Sequence, residues 1–197
     1  MSKMTLTEVV RKGLKLKKED RASMLGIGPM SKMLIKASIL LAKEKDFPLI
    51  FIASRNQVDA QELGGGYVCN WDQKGFSEAI KKVADEVGFD GLYYLCRDHG
   101  GPWQRDKERK DHLPEEEAMR LGKISYVYDL ENGFDLLHID PTKDPYVVGK
   151  VIDVNVVLRR TVELIEYVEK ERIARGLPEI SYEVGTEETN GGLTSVE

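Results

Sequence analysis

The feature that most constrains this chain is a series of short apolar runs separated by segments with helical periodicity. Residues 48–54 form a continuous run rich in β-branched and aromatic side chains, which predicts a strand buried on both faces. Similar runs occupy residues 92–96, 134–139 and 180–184, and residues 25–29 give a weaker signal for an earlier strand and turn. The alternation predicts an α/β fold with a parallel sheet covered by helices.

Two of the intervening segments have clear helical signals. Residues 33–41 are rich in apolar side chains and predict a helix after the first strand. Between residues 76 and 87 the apolar side chains recur on one helical face, and Gly88 follows as a helix-ending glycine.

Two later segments also predict helices. Pro114 followed by three glutamates at 115–117 is typical of a first helical turn. Residues 124–130 either continue that helix or break from it. A long helix is predicted over residues 151–175, ending at Gly176.

The spacing of the strand ends favours a barrel over an open doubly wound sheet. Ser54, Asp98, Asp140 and Glu187 mark these ends and are separated by 42 to 47 residues. Eight such units would need roughly 350 residues, within the range of (β/α) barrels. A chain of 197 residues is therefore expected to form an incomplete barrel.

Composition excludes several classes of protein. Thirty-four acidic residues against 29 basic ones argue against a general nucleic-acid binder. No run approaches the roughly 20 apolar residues of a membrane span, and two cysteines fit a reducing compartment, so a cytoplasmic location is expected. We expect one domain over residues 1–197, with residues 1–24 as a helical lead-in and residues 188–197 as a loose tail.

Polar side chains directly follow each apolar run. In chain order they are Arg55, Asn56, Gln57, Arg97, Asp98, His99, Asp140 and Glu187. Ligands of parallel α/β proteins bind at the carboxyl ends of the strands, so these side chains are expected to converge on one face.

Asp98 and His99 form the sharpest pair. A histidine at a strand end can bind a divalent metal while the neighbouring carboxylate reaches a substrate hydroxyl. The alternative is that Asp98 caps a loop and His99 is an ordinary polar residue. His138 and Asp140 alternate along one strand and should face the same side, with His138 either structural or directed at a ligand.

Other polar groups have competing interpretations. The amides of Asn56 and Gln57 suit sugar hydroxyls, although Asn56 is also a common turn residue. The three glycines at 64–66 can cradle a phosphate or form a flexible loop. Glu187 can bind a metal, move a proton or lie in a solvated tail. His112 fits a solvated loop.

Taken together, these clusters resemble the so-called non-catalytic subunit family of class II tagatose-1,6-bisphosphate aldolases. The similarity extends over about residues 26–192. It rests on the strings Ala53-Ser54-Arg55-Asn56-Gln57-Val58, Arg97-Asp98-His99-Gly100-Gly101-Pro102-Trp103, His138-Ile139-Asp140 and Gly185-Thr186-Glu187.

The resemblance implies a TIM-type barrel, of which this chain would form roughly the first five βα units, and a role in carbohydrate metabolism. It implies a divalent metal, zinc by preference, with His99 as ligand and Asp98 as the acid/base group. Glu187 would be a second catalytic group. Asn56, Gln57, His138 and Asp140 would bind the substrate.

The resemblance also implies partners. The chain would be an accessory subunit, or the N-terminal portion, of an aldolase system acting on ketose phosphates, bound to a catalytic subunit or a C-terminal half-barrel. A metal-dependent ketose 4-epimerase is one alternative, and an inactive fragment that oligomerises is another. Arg55 and Arg97 replace the small residues expected in the matched strings, and these cations are expected near the site, where they would alter phosphate or carboxylate preference.

Overall fold

The chain folds into a parallel sheet whose strands alternate with helices. The computed structural model describes residues 3–21 and 23–185. The elements in chain order are α1 (Leu6–Leu14), β1 (Leu25–Ile27), α2 (Lys32–Lys45), β2 (Leu49–Ser54), α3 (Gln73–Val87), β3 (Tyr93–Gly100), α4 (Asp106–Lys110), α5 (Glu115–Glu131), β4 (Leu136–Ile139), α6 (Val154–Ala174) and β5 (Ser181–Val184). Among the described helices, none combines the length and apolar character needed to cross a bilayer.

The strand order identifies the sheet as an incomplete barrel. Neighbouring strands pair in the order β1-β2-β3-β4-β5, and every pair is parallel. A doubly wound sheet would reverse its order at a switch point, whereas here each connection leads to the adjacent strand in the same direction. Right-handed connections then place the helices on one face. The predicted α/β class and partial barrel are confirmed.

The main core lies between the sheet and these helices. Alternate strand side chains point to this face and pack against the apolar sides of the helices. Fully or almost fully buried members include Phe51, Leu95 and Leu137 from the strands, and Ile39, Phe76 and Leu164 from the helices. The helix stripe predicted between residues 76 and 87 is part of this core, and Gly88 ends α3 in a left-handed conformation.

The opposite face of the sheet is covered near its amino-terminal edge by α1. Leu6 of α1 packs with Tyr94 and Cys96 of β3 in a second apolar cluster. The Tyr94 hydroxyl donates to the carbonyl of Met4 at 2.8 Å, and the amide of Thr7 donates to Ser181 Oγ at 3.0 Å. Tyr94 and Ser181, which make these two hydrogen bonds, lie near the starts of β3 and β5. Helix α1 therefore covers the end of the sheet opposite the carboxyl ends of the strands.

Strand β3 is longer than its apolar run predicts. The run at residues 92–96 predicted a strand ending near Cys96, but β3 continues to Gly100. Asp98 and His99 are therefore part of the strand and do not follow it.

Of the two alternatives for residues 124–130, the structure shows continuation, because helix α5 runs unbroken through them. Two helices differ from expectation. Helix α6 begins at Val154, later than the predicted residue 151. Asp153 caps α6 because its side chain accepts from the amide of Asn155 at 2.7 Å. The short helix α4 was not predicted, since all five of its residues are charged and give no apolar pattern.

Arg97 and Arg55 lie on the helix side of the sheet and are fully buried. Arg97 Nε donates to Asp129 Oδ2 at 2.9 Å and Nη2 to Asp129 Oδ1 at 2.5 Å, while Arg55 pairs with Asp59 and Glu108. The expectation that these two cations tune ligand preference at the site is wrong. They neutralise buried carboxylates behind the sheet, because β3 alternation turns residue 97 away from the face that carries residue 98.

The buried ion pair between Arg97 and Asp129 gives a prediction about stability. Arg97→Met leaves Asp129 buried without its charge partner, and removing one member of such a pair costs about 3–5 kcal/mol. We expect a corresponding fall in the free energy of unfolding, measured by urea denaturation. Arg120→Met is the matched control, since Arg120 pairs with Glu117 in solvent and should unfold like the wild type. Equal losses in the two variants would contradict the structural role of Arg97.

Candidate functional site

A bulge in β3 sets the direction of His99. The register between β3 and β4 shifts between Arg97 and Gly100, and His99 has a φ of 43°. Positive φ is uncommon for residues other than glycine, and bulges often redirect a side chain beside an active site. The backbone is thus held in an unfavourable conformation at the position with the clearest predicted chemistry.

Helix α5 packs very closely against the bulge in β3. A Cβ at Gly100 would lie 2.4 Å from a ring carbon of Tyr126, and a Cβ at Gly122 would lie 2.8 Å from the carbonyl carbon of Gly101. The hydroxyl of buried Tyr126 donates to the backbone carbonyl of His138 at 2.9 Å. The absence of side chains at residues 100 and 122 therefore lets α5 fix the ends of β3 and β4 relative to each other.

Asp140 orients the His99 ring. Its Oδ2 lies 2.7 Å from His99 Nδ1, and its Oδ1 accepts from the amide and the hydroxyl of Thr142 at 3.0 and 2.5 Å. Burial alone would raise the pKa of Asp140, but the hydrogen bonds from His99 and Thr142 lower it below its ordinary value. Asp140 is fully buried and ionised, so its carboxylate accepts a hydrogen bond from the Nδ1–H of His99.

This contact also changes the acidity of His99. The hydrogen bond to Asp140 raises the pKa of His99, against the opposing effect of partial burial, and the charge of Asp98 acts in the same direction as the hydrogen bond. With Nδ1 directed at Asp140, Nε2 is the ring nitrogen left for a ligand. It lies 3.6 Å from Asp98 Oδ1, and both side chains are about one-third exposed.

His138 lies behind His99 and is almost completely buried. Its Nδ1 accepts from the backbone amide of His99 at 3.3 Å, and the two ring centroids are 4.7 Å apart. Its Nε2 has no hydrogen-bond partner among residues 3–21 and 23–185. His138 and Asp140 both contact His99, in agreement with the prediction that they face the same side of their strand.

The donors present suit a divalent metal. Asp98, His99 and His138 each offer one ligand atom, and these atoms lie within 4.8 Å of one another. Imidazole nitrogen and carboxylate oxygen are both zinc ligands. His99 fits this role best, because metal-binding histidines commonly donate their other ring N–H to a carboxylate, as His99 does to Asp140.

Asn56 and Gln57 lie at the carboxyl end of β2, and their amides bond to the protein. Asn56 Nδ2 donates to Asp106 Oδ1 at 3.1 Å, and Gln57 Oε1 accepts from the amide of Ser54 at 2.9 Å. Asn56 also lines an open cavity of about 490 Å³, together with Ser54, Gly64, Gly65, Gly66, Tyr67, Arg105 and Asp106. The glycine run predicted as a cradle or loop therefore borders a polar cavity near β2.

Thr142 has a structural part in the site and was not singled out from the sequence. It follows Asp140 by two residues, the spacing at which an aspartate side chain commonly accepts from a backbone amide in a turn. Gly185, which belongs to one of the matched strings, lies against the His138 ring. Glu187, predicted as catalytic, falls outside the described residues. His112 is exposed, as expected for a loop residue.

The His99–Asp140 contact gives a prediction about acidity. Asp140→Asn removes the negative charge, so we expect the pKa of His99 in the metal-free protein to fall towards its ordinary value of about 6.5. An NMR titration of the His99 ring measures this. In the wild type, the His99–Asp140 pair stabilises the folded state fully at pH values below the ordinary pKa of histidine. This contribution to stability is lost as the pH rises through the raised pKa of His99.

The control for this titration is Asp111→Asn, which makes the same chemical change in an exposed pair with Lys107. It should leave the His99 titration unchanged. An unchanged pKa of His99 in Asp140→Asn would contradict the proposed contact.

Comparison with solved structures supports the fold. A crystal structure of a probable tagatose 6 phosphate kinase from Sinorhizobium meliloti 1021 superposes with a TM-score of 0.70 at 24% identity. The match covers 84% of this chain and 39% of that chain, so this chain spans about two-fifths of its length. At this identity the match shows the fold alone. No curated protein matches the sequence.

Comparison with protein families is more specific. Residues 8–196 match the family described as D-tagatose-1,6-bisphosphate aldolase subunit GatZ/KbaZ-like. The match includes every described strand and the residues around His99. The chain belongs to the GatZ/KbaZ-like family of D-tagatose-1,6-bisphosphate aldolase subunits, a family of carbohydrate metabolism.

Proposed function

We propose that this chain is an accessory subunit, or the N-terminal portion of one, in a class II tagatose-1,6-bisphosphate aldolase system, and that it contributes to a site for a ketose phosphate. The observation that carries the proposal is the polar cluster of Asp98, His99, His138 and Asp140 at the carboxyl ends of β3 and β4, in a chain of this family. In (β/α) barrels this end of the strands is where substrates bind.

Each residue has a chemical role in this proposal. His99 Nε2 would hold a divalent ion, zinc by preference, with Asp140 fixing the ring from behind. Asp98, 3.6 Å from that nitrogen, would accept or return the proton of the substrate hydroxyl beside the reacting bond. A bound ion would supply the Lewis acidity that polarises the ketose carbonyl. Glu187 remains a candidate for a second proton-transfer group.

Asn56 and Gln57 would bind hydroxyl groups after exchanging their present partners. Asn56 already borders the polar cavity beside β2, and Ser54 of the same cavity pairs in register with Asp98. A ketose phosphate extending from Asp98 towards residues 64–66 would therefore lie beside the side-chain amide of Asn56. The backbone amides of a glycine-rich loop suit a phosphate group.

The open sheet favours a role that depends on a second chain or segment. Among the described strands, β1 pairs only with β2 and β5 only with β4, so both edges have unused backbone groups. The helices at the two ends each expose apolar side chains. On α6 these form an outer stripe at a spacing of four residues, Val154, Leu158 and Val162, and on α2 they include Met33, Leu40 and Leu41.

A metal-dependent ketose 4-epimerase is the second candidate. It is favoured by the presence of a carboxylate and two imidazoles on one chain, since retro-aldol chemistry without release of fragments needs the same groups. Assays of tagatose and fructose phosphates with added divalent metal distinguish the two. Interconversion of the two sugars by this chain joined to a C-terminal half-barrel would favour the epimerase. Cleavage only with the catalytic subunit would favour the accessory role.

The accessory role predicts association. We expect the chain to copurify with the catalytic aldolase subunit and to raise its thermal stability. Leu158→Glu places a charge in the α6 outer stripe and should weaken binding about 10-fold or more, measured by biolayer interferometry. Lys170→Glu, at an exposed charged position of the same helix, should bind like the wild type. No binding by the wild type would count against the accessory role.

The proposed metal ligand gives a second prediction. His99→Gln should weaken zinc binding at least about 10-fold in isothermal titration calorimetry, because it removes the ligand that Asp140 orients. His112→Gln changes an exposed histidine in the same way and should bind zinc normally. Equal zinc affinity in the wild type and His99→Gln would exclude His99 as a ligand.

A further inference from the structure

Arg105 lies beside the polar cavity at the carboxyl end of β2, and neighbouring loops hold its guanidinium group. Nη1 donates to the backbone carbonyl of Arg55 at 2.9 Å and to Asp59 Oδ2 at 3.2 Å, and Nη2 donates to the carbonyl of Gly65 at 2.8 Å. These hydrogen bonds join the loop that follows β3 to the loop that follows β2. The guanidinium is therefore held in place before any ligand binds, which lowers the entropic cost of binding.

The three contacts leave part of the guanidinium for a ligand. An arginine side chain has five N–H donors, and three of those of Arg105 are used here. Among residues 3–21 and 23–185, its Nε and the second hydrogen of its Nη2 have no hydrogen-bond partner. A guanidinium commonly binds a phosphate through two N–H groups. The Arg105 side chain is 13% exposed and lines the cavity of about 490 Å³, so a ligand in the cavity contacts it.

The glycine run at 64–66 provides space beside the guanidinium more than amide donors. The amides of Gly64 and Gly65 both donate to carbonyls of the preceding turn, at 2.9 Å. The Gly66 amide belongs to the peptide group whose carbonyl binds Arg105, and in a planar trans peptide the N–H points the opposite way. A Cβ at Gly64 would lie 3.1 Å from Arg105 Nη2. The glycines thus leave the guanidinium uncovered, and a phosphate in the cavity depends on Arg105.

Asp106 is the only acid among the described residues that line the cavity, and its charge is balanced. Its Oδ1 accepts from Arg109 Nη2 and from Asn56 Nδ2, the latter at 3.1 Å. An anion beside Arg105 is therefore not opposed by an unpaired carboxylate of these lining residues.

The cavity lies next to the Asp98 end of the polar cluster. Strand β2 pairs with one edge of β3 and β4 with the other, and Asp140, which follows β4, contacts His99. Ser54 of β2 lines the cavity and pairs in register with Asp98. From β4 towards β2, the groups are therefore His99, then Asp98, then the cavity.

We propose that Arg105 binds the phosphate at the end of the ketose remote from the carbonyl, and that it selects substrates that carry this phosphate. The inference rests on the proposed function, in which the carbonyl lies at His99 and Asp98 takes the hydroxyl proton beside the reacting bond. In a retro-aldol reaction that hydroxyl lies across the reacting bond from the carbonyl. The remaining carbons of the sugar then extend away from His99 towards the cavity.

The first test needs neither zinc nor a sugar. Inorganic phosphate is titrated into the ¹⁵N-labelled, metal-free full chain, and the Nε–H signal of Arg105 is followed in ¹H–¹⁵N correlation spectra. Loss of the signal in Arg105→Lys assigns it. We expect a saturable shift at Arg105 and none at Arg120, whose guanidinium pairs with Glu117 in solvent. No shift at Arg105, or a shift that does not saturate, would overturn the proposal.

The second test compares D-tagatose 1,6-bisphosphate with D-tagatose 1-phosphate, which lacks only the phosphate assigned to Arg105. Isothermal titration calorimetry of the zinc-loaded chain measures both affinities. We expect the wild type to prefer the bisphosphate about 10-fold or more, as hydrogen bonds to a charged group allow. Arg105→Gln should lose most of this preference and bind the monophosphate within about threefold of the wild type. An unchanged preference, or an equal loss for both sugars, would overturn the proposal.

Two further variants separate binding from folding. Arg120→Gln makes the same chemical change at an exposed position and should keep both affinities. Arg105→Lys keeps the charge without the planar pair of donors, so its preference for the bisphosphate should lie between those of the wild type and Arg105→Gln. Circular dichroism verifies the fold of each variant, and a wild-type preference in Arg105→Lys would count against a bidentate contact.

The two tests also distinguish failure of this inference from failure of the proposed function. If the wild type binds neither sugar, the proposed function fails, while a saturable phosphate shift would still place an anion at Arg105. If the wild type binds both sugars equally, the site accepts ketose phosphates and the assignment to Arg105 is overturned.

Discussion

The close packing of α5 against the bulge in β3 is the constraint on which the site depends. Gly122 and Gly100 have no side chains, so the helix approaches the strand until Tyr126 fills the space beneath the bulge and bonds to the carbonyl of His138. The approach leaves His99 with a positive φ and brings its amide to the His138 ring. Packing on the helix side of the sheet thereby sets the positions of the polar groups at its end.

The two faces of β3 carry charges of different kinds. Arg97 points to the helices, where it neutralises Asp129 in the interior and stabilises the fold. Asp98, one residue later, points to the other face and is partly exposed. Because successive side chains in a strand alternate, a single polar string encodes both a structural ion pair and a candidate acid/base group.

Much of the architecture could be predicted from the sequence. The apolar run at residues 48–54 and the helix ending at Gly88 follow directly from periodicity and capping, and the regular spacing of the strand ends indicated a barrel. Signals of this kind are local, so one sequence suffices to find them. The full length of β3 could not be predicted, because its last four residues are polar or glycine and have no apolar pattern.

The site could be predicted only in part, because local signals identify its residues but not the contacts between them. Sequence order placed Asp98, His99, His138 and Asp140 at neighbouring strand ends, and the structure brings His99 into contact with Asp140 and His138. Which ring nitrogen each histidine uses depends on the bulge and on contacts between residues about 40 positions apart, and no local pattern carries that information.

The central claim is that His99 presents Nε2 to a metal at the carboxyl end of the parallel sheet, with Asp140 behind it. Anomalous diffraction from crystals of the zinc-loaded protein tests it most directly. The account predicts a zinc peak about 2.0–2.1 Å from His99 Nε2, on the side of Asp98. A peak at His112 or Cys69, with none at His99, would contradict it.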